Sequence, residues 1–133
     1  MATIAWLHLC ETAFVDNCDR LCLIGVTHRF PVPALPVAVH HVMLAGRVVD
    51  ARPGEEIEVS VAITTPSGLS SSPNDPHCIE ISNVGEYVLV TLRQLPLHEE
   101  GIYRFEVSLG ERSTVTLAIP VLMVSRAAPV QVH

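Results

Sequence analysis

Lysine is absent from this chain, and all eight basic residues are arginine. Charge of either sign is scarce, at 17% of residues against the roughly 25% usual in soluble domains. Fourteen acids leave a net charge of −6, and no basic stripe interrupts that balance. A surface that tracks phosphates needs such a stripe, so no nucleic-acid partner is expected. Long apolar runs are also missing, since no stretch approaches the roughly 18 residues of a spanning helix, and no membrane partner is expected. The opening "MATIAWLHLCETAFVD" is apolar, but its first following basic residue is Arg20, so it lacks the positive start of a secretory leader. The expectation is a cytoplasmic protein with its four cysteines reduced.

Helical periodicity is lacking as well. No window holds apolar residues at i, i+3, i+4 and i+7 without an equally good strand reading. Period-two alternation takes its place. In "EEIEVSVAITT", Ile57, Val59, Val61 and Ile63 share one side, opposite Glu56, Glu58, Ser60 and Thr64. The same logic aligns Val88, Val90 and Leu92, then Tyr103, Phe105, Val107 and Leu109, and finally Val115, Leu117, Ile119 and Val121. The stretches 2–9 and 37–49 are apolar on both faces, which requires either a cover on each face or a second subunit. Turn-forming clusters at 16–19, 30–36, 51–55, 82–86 and 110–113 separate these segments and, together with residues 66–77, hold most of the ten prolines. Pro120, near the end of the last strand, marks an edge or a bulge. Residues 66–77 form the longest predicted loop and the expected mobile one.

A chain of 133 residues suits one domain, spanning 1–133, and buries about two-thirds of its unfolded surface without needing a disulfide or metal. Seven to eight short strands with no helix predict an all-β, antiparallel sandwich of immunoglobulin-like, Greek-key type. The segment "LPLHEEGIYRFEVSL" strengthens that reading. Leu97, Glu100, Gly101 and Tyr103 resemble the tyrosine corner of immunoglobulin-like sandwiches, in which the hydroxyl turns back to the loop backbone just upstream. Gly101 would allow the tight bend. Phe105 stands where antibody domains place their second cysteine, so no inter-sheet disulfide is expected.

The run "WLHLCETAFVDNCDRLCLIGVTHRFPVPALP", its segment Asp16 to Gly25 with Arg20 before the leucine, and the late "EGIYRFEV" together resemble a family of small uncharacterised bacterial proteins. That resemblance implies a β-sandwich with no assigned activity, and it supplies no catalytic residue.

Chemistry-bearing motifs are few. There is no CxxC, zinc-finger spacing, P-loop, dinucleotide fingerprint or HExxH. The sharpest metal candidate is His8 with Cys10, two apart on one strand face, joined by Cys22 from the next strand of a hairpin. The simpler reading makes Cys10 and Cys22 small core residues. His40 and His41 are adjacent and point apart on a strand, so they form no chelating pair. Ser70, Ser71, Ser72, Asp75 and His77 offer triad chemistry, but they crowd one loop with no nucleophile elbow to aim them. Glu55, Glu56, Glu58, Glu99 and Glu100 read as solvated acids, and Trp6 reads as a core side chain. No catalytic residue, metal ligand or cofactor is therefore assigned. The expected function is a non-enzymatic interaction or structural module, a homo-oligomer or the binder of a protein partner. The alternative is a small-molecule or metal-binding sandwich using the His8/Cys10/Cys22 region.

Overall fold

A computed structural model describes residues 2–52, 58–71, 79–84, 86–110 and 113–124, with backbone alone for 71 and 79–84. Its elements in chain order are β1 (Thr3–Val15), β2 (Leu21–Val26), β3 (Phe30–Val32), β4 (Val37–Val49), β5 (Val59–Thr64), β6 (Ser70–Ser71), β7 (Ile79–Val84), β8 (Tyr87–Leu97), β9 (Gly101–Leu109) and β10 (Ser113–Met123). Eight of them have six residues or more, and β3 and β6 are short additions. They form two sheets, ordered β2-β1-β4-β8-β7 and β3-β10-β9-β5-β6.

The two sheets pack apolar face to apolar face. Tyr103, Phe105, Val107 and Leu109 of β9, Val61 and Ile63 of β5, and Ile119 and Val121 of β10 meet Leu7 and Leu9, Val42 and Leu44, and Val88, Val90 and Leu92 from the other sheet. The positions of β5, β8, β9 and β10 are alternating ones that the sequence places on one side, whereas Leu7, Leu9, Val42 and Leu44 come from stretches that the sequence reads as apolar on both faces. Each such side chain contributes about 1.5–3 kcal/mol when fully buried. Ile57, the first residue of the clearest alternating run, lies outside the described residues.

Where the sequence looked two-sided, the strands change face. In β1 a register shift between Ile4 and Trp6 moves the inward parity from Ile4 to Leu7 and Leu9. In β8 the inward residues run Val88, Val90 and Leu92, then Leu95 and Leu97, and Gln94 between them has φ 55°. Its partner β4 switches in step, from Val42 to the partly buried Val39 and Val37. One extra residue of twist on each strand makes a one-faced pattern look continuous.

Two predicted connections contain strands. Phe30–Val32 runs parallel to β10, pairing Phe30 with Val121 and Val32 with Met123. The edge position tolerates Pro31, which has no N–H to give. Ser70 and Ser71 pair with Thr64 and Ile63, so the predicted loop begins as a hairpin, and residues 72–77 lie outside the described residues. Pro120 sits just before the part of β10 that β3 covers, on a stretch that among the described residues pairs with β9 alone.

Candidate functional site

The tyrosine corner is built as its residues suggest. Tyr103 is fully buried, and its hydroxyl accepts the backbone N–H of His98 at 3.0 Å and of Glu99 at 3.4 Å. Gly101 has φ +127°, and a Cβ there would stand 2.7 Å from the Pro66 side chain. Both the conformation and the close approach require glycine. Glu99 and Glu100, read from sequence as solvated acids, lie at the surface, and each accepts one backbone N–H there. Glu99 accepts the Ser67 N–H at 2.7 Å, and Glu100 accepts the Met123 N–H at 3.0 Å. Carboxylates therefore fasten the β5–β6 turn and the end of β10 to the corner, and neither is poised for acid–base work.

The proposed metal ligands do not converge. Cys10 is fully buried, and its thiol donates to the Met43 carbonyl at 3.6 Å. Burial pushes that thiol's pKa up, which disfavours the thiolate a metal needs. His8 leans on Trp6, with ring centroids 5.3 Å apart. Cys22 pairs with Phe14, whereas Cys10 pairs with Val26, four residues further along β2. That offset is about 13 Å at strand rise, beyond shared ligation. No group of three potential ligands occurs among the described residues. Cys10, Cys18 and Cys22 are free thiols, and Cys78 lies outside the described residues.

The remaining candidates are dispersed too. His40 is in hydrogen-bond contact with Gln94 through Nδ1 at 2.8 Å, whereas His41 Nδ1–H donates to the Glu11 carbonyl at 3.1 Å, so each serves a different neighbouring strand. Ser70 pairs with the Thr64 hydroxyl at 3.4 Å; Ser72, Asp75 and His77 lie outside the described residues. Trp6 is not in the core. Its register pairs it with Arg47, on the face of the first sheet turned away from the sandwich, where it is half-buried.

That outer face carries a second apolar cluster. Cys10, Ala13, Met43, Ala45 and Leu89 are buried there, with Leu21 and Leu23 of β2 packed against them. Met43 Sδ accepts the Ala13 N–H at 3.2 Å, which ties the far half of β1 to β4. The β1–β2 hairpin thus covers part of the outer face from within the same chain. This covers Met43 and Ala45, on the second apolar side of 37–49; no residue of 2–9 is in the cluster.

The hairpin itself is tightly specified. Asp16 Oδ1 accepts the N–H of Cys18 at 2.8 Å and of Arg20 at 2.9 Å, while Oδ2 takes the Arg20 Nε–H at 2.8 Å. The Arg20 and Cys18 amides, with the Arg20 guanidinium, hold the Asp16 carboxyl below its usual range. Gly25, at φ +70°, lies under Glu11, whose Cβ would be 2.9 Å from any Cβ added there. Every residue of the Asp16-to-Gly25 motif therefore serves this hairpin or its surface.

Its other face is open. Phe14 is 45% exposed, Ile24 51% and Val26 42%. Thr12 pairs with Ile24 and Phe14 with Cys22, so Phe14 and Ile24 are diagonal neighbours on one face. β2 ends its sheet, and no strand pairs with its outer edge among the described residues. The sequence signal for this surface was present in "TAFVD" and "LCLIG", which are apolar at both parities. The other large exposed apolar residues, Leu69, Ile102, Met123 and Val124, border the tyrosine corner, where the chain continues past Val124 beyond the described residues.

Two packed sheets, a parallel β3–β10 pair and a tyrosine corner define an immunoglobulin-like β-sandwich. The chain belongs to DUF6941, a family of unknown function, whose model matches residues 5–122. No curated protein matches it. Among solved structures it is similar to the M1 domain of titin, with 11% identity, 63% of this chain and 78% of that one covered, and a TM-score of 0.36. It is also similar to the first immunoglobulin domain in the ZIG-8 homodimer, with 19% identity, coverage of 74% and 81%, and a TM-score of 0.38. The first immunoglobulin domain of mouse SynCAM 2 gives 15% identity, coverage of 74% and 93%, and a TM-score of 0.34.

Proposed function

We propose that this chain is a non-enzymatic, cytoplasmic protein–protein interaction module that self-associates through the outward face of its β1–β2 hairpin. The observation that carries this reading is the pair Phe14 and Ile24, diagonal neighbours left about half exposed beside an unpaired strand edge. Large apolar side chains grouped in this way mark contact surfaces. The inner face of the same hairpin already meets the needs of folding, since Ala13, Leu21 and Leu23 cover Met43 and Cys10. Phe14, Ile24 and Val26 remain about half exposed beside that packing.

Support for a non-enzymatic role comes from the occupied state of the chemistry-bearing groups. Glu99, Glu100, Asp16 and His41 each bond to backbone, and Cys10 is buried among apolar neighbours. The three free thiols Cys10, Cys18 and Cys22 favour a reducing compartment.

Sedimentation velocity across micromolar concentrations tests the proposal. A concentration-dependent shift from monomer to a larger species is expected, and Ile24→Lys should abolish it. A native chain that stays monomeric throughout would refute self-association.

A further inference from the structure

The four sheet edges are not equivalent. β3 is three residues long and contains Pro31, β6 is two residues long, and β7 carries Glu80 in its sequence. β2 has six residues, "LCLIGV", with no charge and no proline. Natural sheets guard their edges with charge, proline or brevity, and β2 has none of these. Among the described residues no strand pairs with the outer edge of β2, and such an edge flanked by apolar side chains fits another extended strand.

The charges at the two ends of β2 indicate which strand. At the turn end stand Asp19 and the Asp16–Arg20 pair. At the other end stand His28 and Arg29. Asp19, His28 and Arg29 are all exposed and make no ion pair among the described residues. Resting on the self-association reading above, we infer that β2 pairs antiparallel with β2 of a second copy about a two-fold axis, joining two five-stranded sheets into one.

Centred on Ile24, this pairing sets Ile24 opposite Ile24 of the mate, Cys22 opposite Val26 and Leu23 opposite Gly25, so that paired side chains share a face. It carries Asp19 to Arg29 at each end and sets Arg20, which Asp16 holds, beside His28, so opposite charges meet along the seam. A parallel pairing would set like ends together. An unrelated strand would gain from the opposed charges of the two ends only if it carried the complementary pair, which a second copy does by construction. A two-fold contact is self-complementary and uses one surface twice, and the absence of charge along β2 leaves nothing to repel the mate at its centre.

The test uses two charge variants of the full chain, Arg29→Asp and Asp19→Lys, in sedimentation velocity, with far-ultraviolet dichroism to confirm folding. Each variant alone places like charges opposite one another and should self-associate roughly tenfold more weakly than the native chain. Mixed in equal amounts, the two restore both opposite-charge contacts, and a heterodimer of near-native affinity is expected. Hydrogen exchange adds a readout that needs no variant: amides of Leu21–Val26 should gain protection as native protein concentration rises. A native dimer that neither variant weakens, or whose β2 amides exchange independently of concentration, overturns the edge pairing while leaving self-association intact. A native monomer overturns both.

Discussion

Strand β9 and the β1–β2 hairpin treat the same alternating backbone in opposite ways. In β9 the inward residues Tyr103, Phe105, Val107 and Leu109 are buried, and Arg104, Glu106 and Ser108 point away from the core. In the hairpin the inward residues Ala13, Leu21 and Leu23 pack on Met43 and Cys10, yet Phe14 and Ile24 on the other side are apolar as well. One buried face is enough to fix a strand's register. The second apolar side of the hairpin stays about half exposed, and it is the side that the proposal above assigns to association.

The largest effect that sharpens the comparison belongs to the sandwich core. Phe105→Ala should cost about 3–5 kcal/mol in urea unfolding, because the ring is fully buried between the sheets. Met43→Ala should cost about 2 kcal/mol, near the low end for such truncations. Its loss removes both the packing under the hairpin and the acceptor of the Ala13 N–H. Hydrogen exchange should show the damage centred on residues 11–26, whereas Phe105→Ala lowers protection across both sheets. Equal, global loss in both variants would erase the distinction between the two clusters.

Tyr103→Phe should cost about 1–2 kcal/mol by orphaning the His98 and Glu99 amides. A smaller effect concerns acid. The native Asp16 carboxyl titrates below its usual value, so the unfolded chain binds that proton first as pH falls. The stability it contributes is complete above the unfolded value of about 4 and disappears as pH drops through the depressed native one. Amides of Cys18 and Arg20 should therefore lose protection at the acid end of a titration. Asp16→Asn, which keeps an acceptor without the charge, should flatten that dependence.

The sequence made the second sheet legible because β5, β9 and β10 keep one parity throughout, and Gly101 with Tyr103 announced the corner. The first sheet was harder to read. Strands β1 and β4 looked two-sided because the inward face switches at Ala5 and again near Gln94, and neither switch has a strong residue signature. Nor does local pattern distinguish a face covered by the chain's own hairpin from one covered by a neighbour; that depends on where Leu21 and Leu23 land. Glu99 and Glu100 are surface acids as the sequence reads them, but their backbone partners, Ser67 and Met123, are distant in sequence and were not legible. His8, Cys10 and Cys22 suggested a site by proximity along a hairpin, but the observed register sets Cys10 opposite Val26.

The most direct test compares the native chain with Ile24→Lys in sedimentation velocity and thermal unfolding together. Ile24 is about half exposed and is a member of neither buried cluster, so the substitution should change monomer stability by less than about 0.5 kcal/mol. The expected result is a native dimer and a variant that is monomeric with a native-like unfolding curve. A native chain that remains monomeric, or a variant that dimerises as well as the native protein, contradicts the assignment of this face to association.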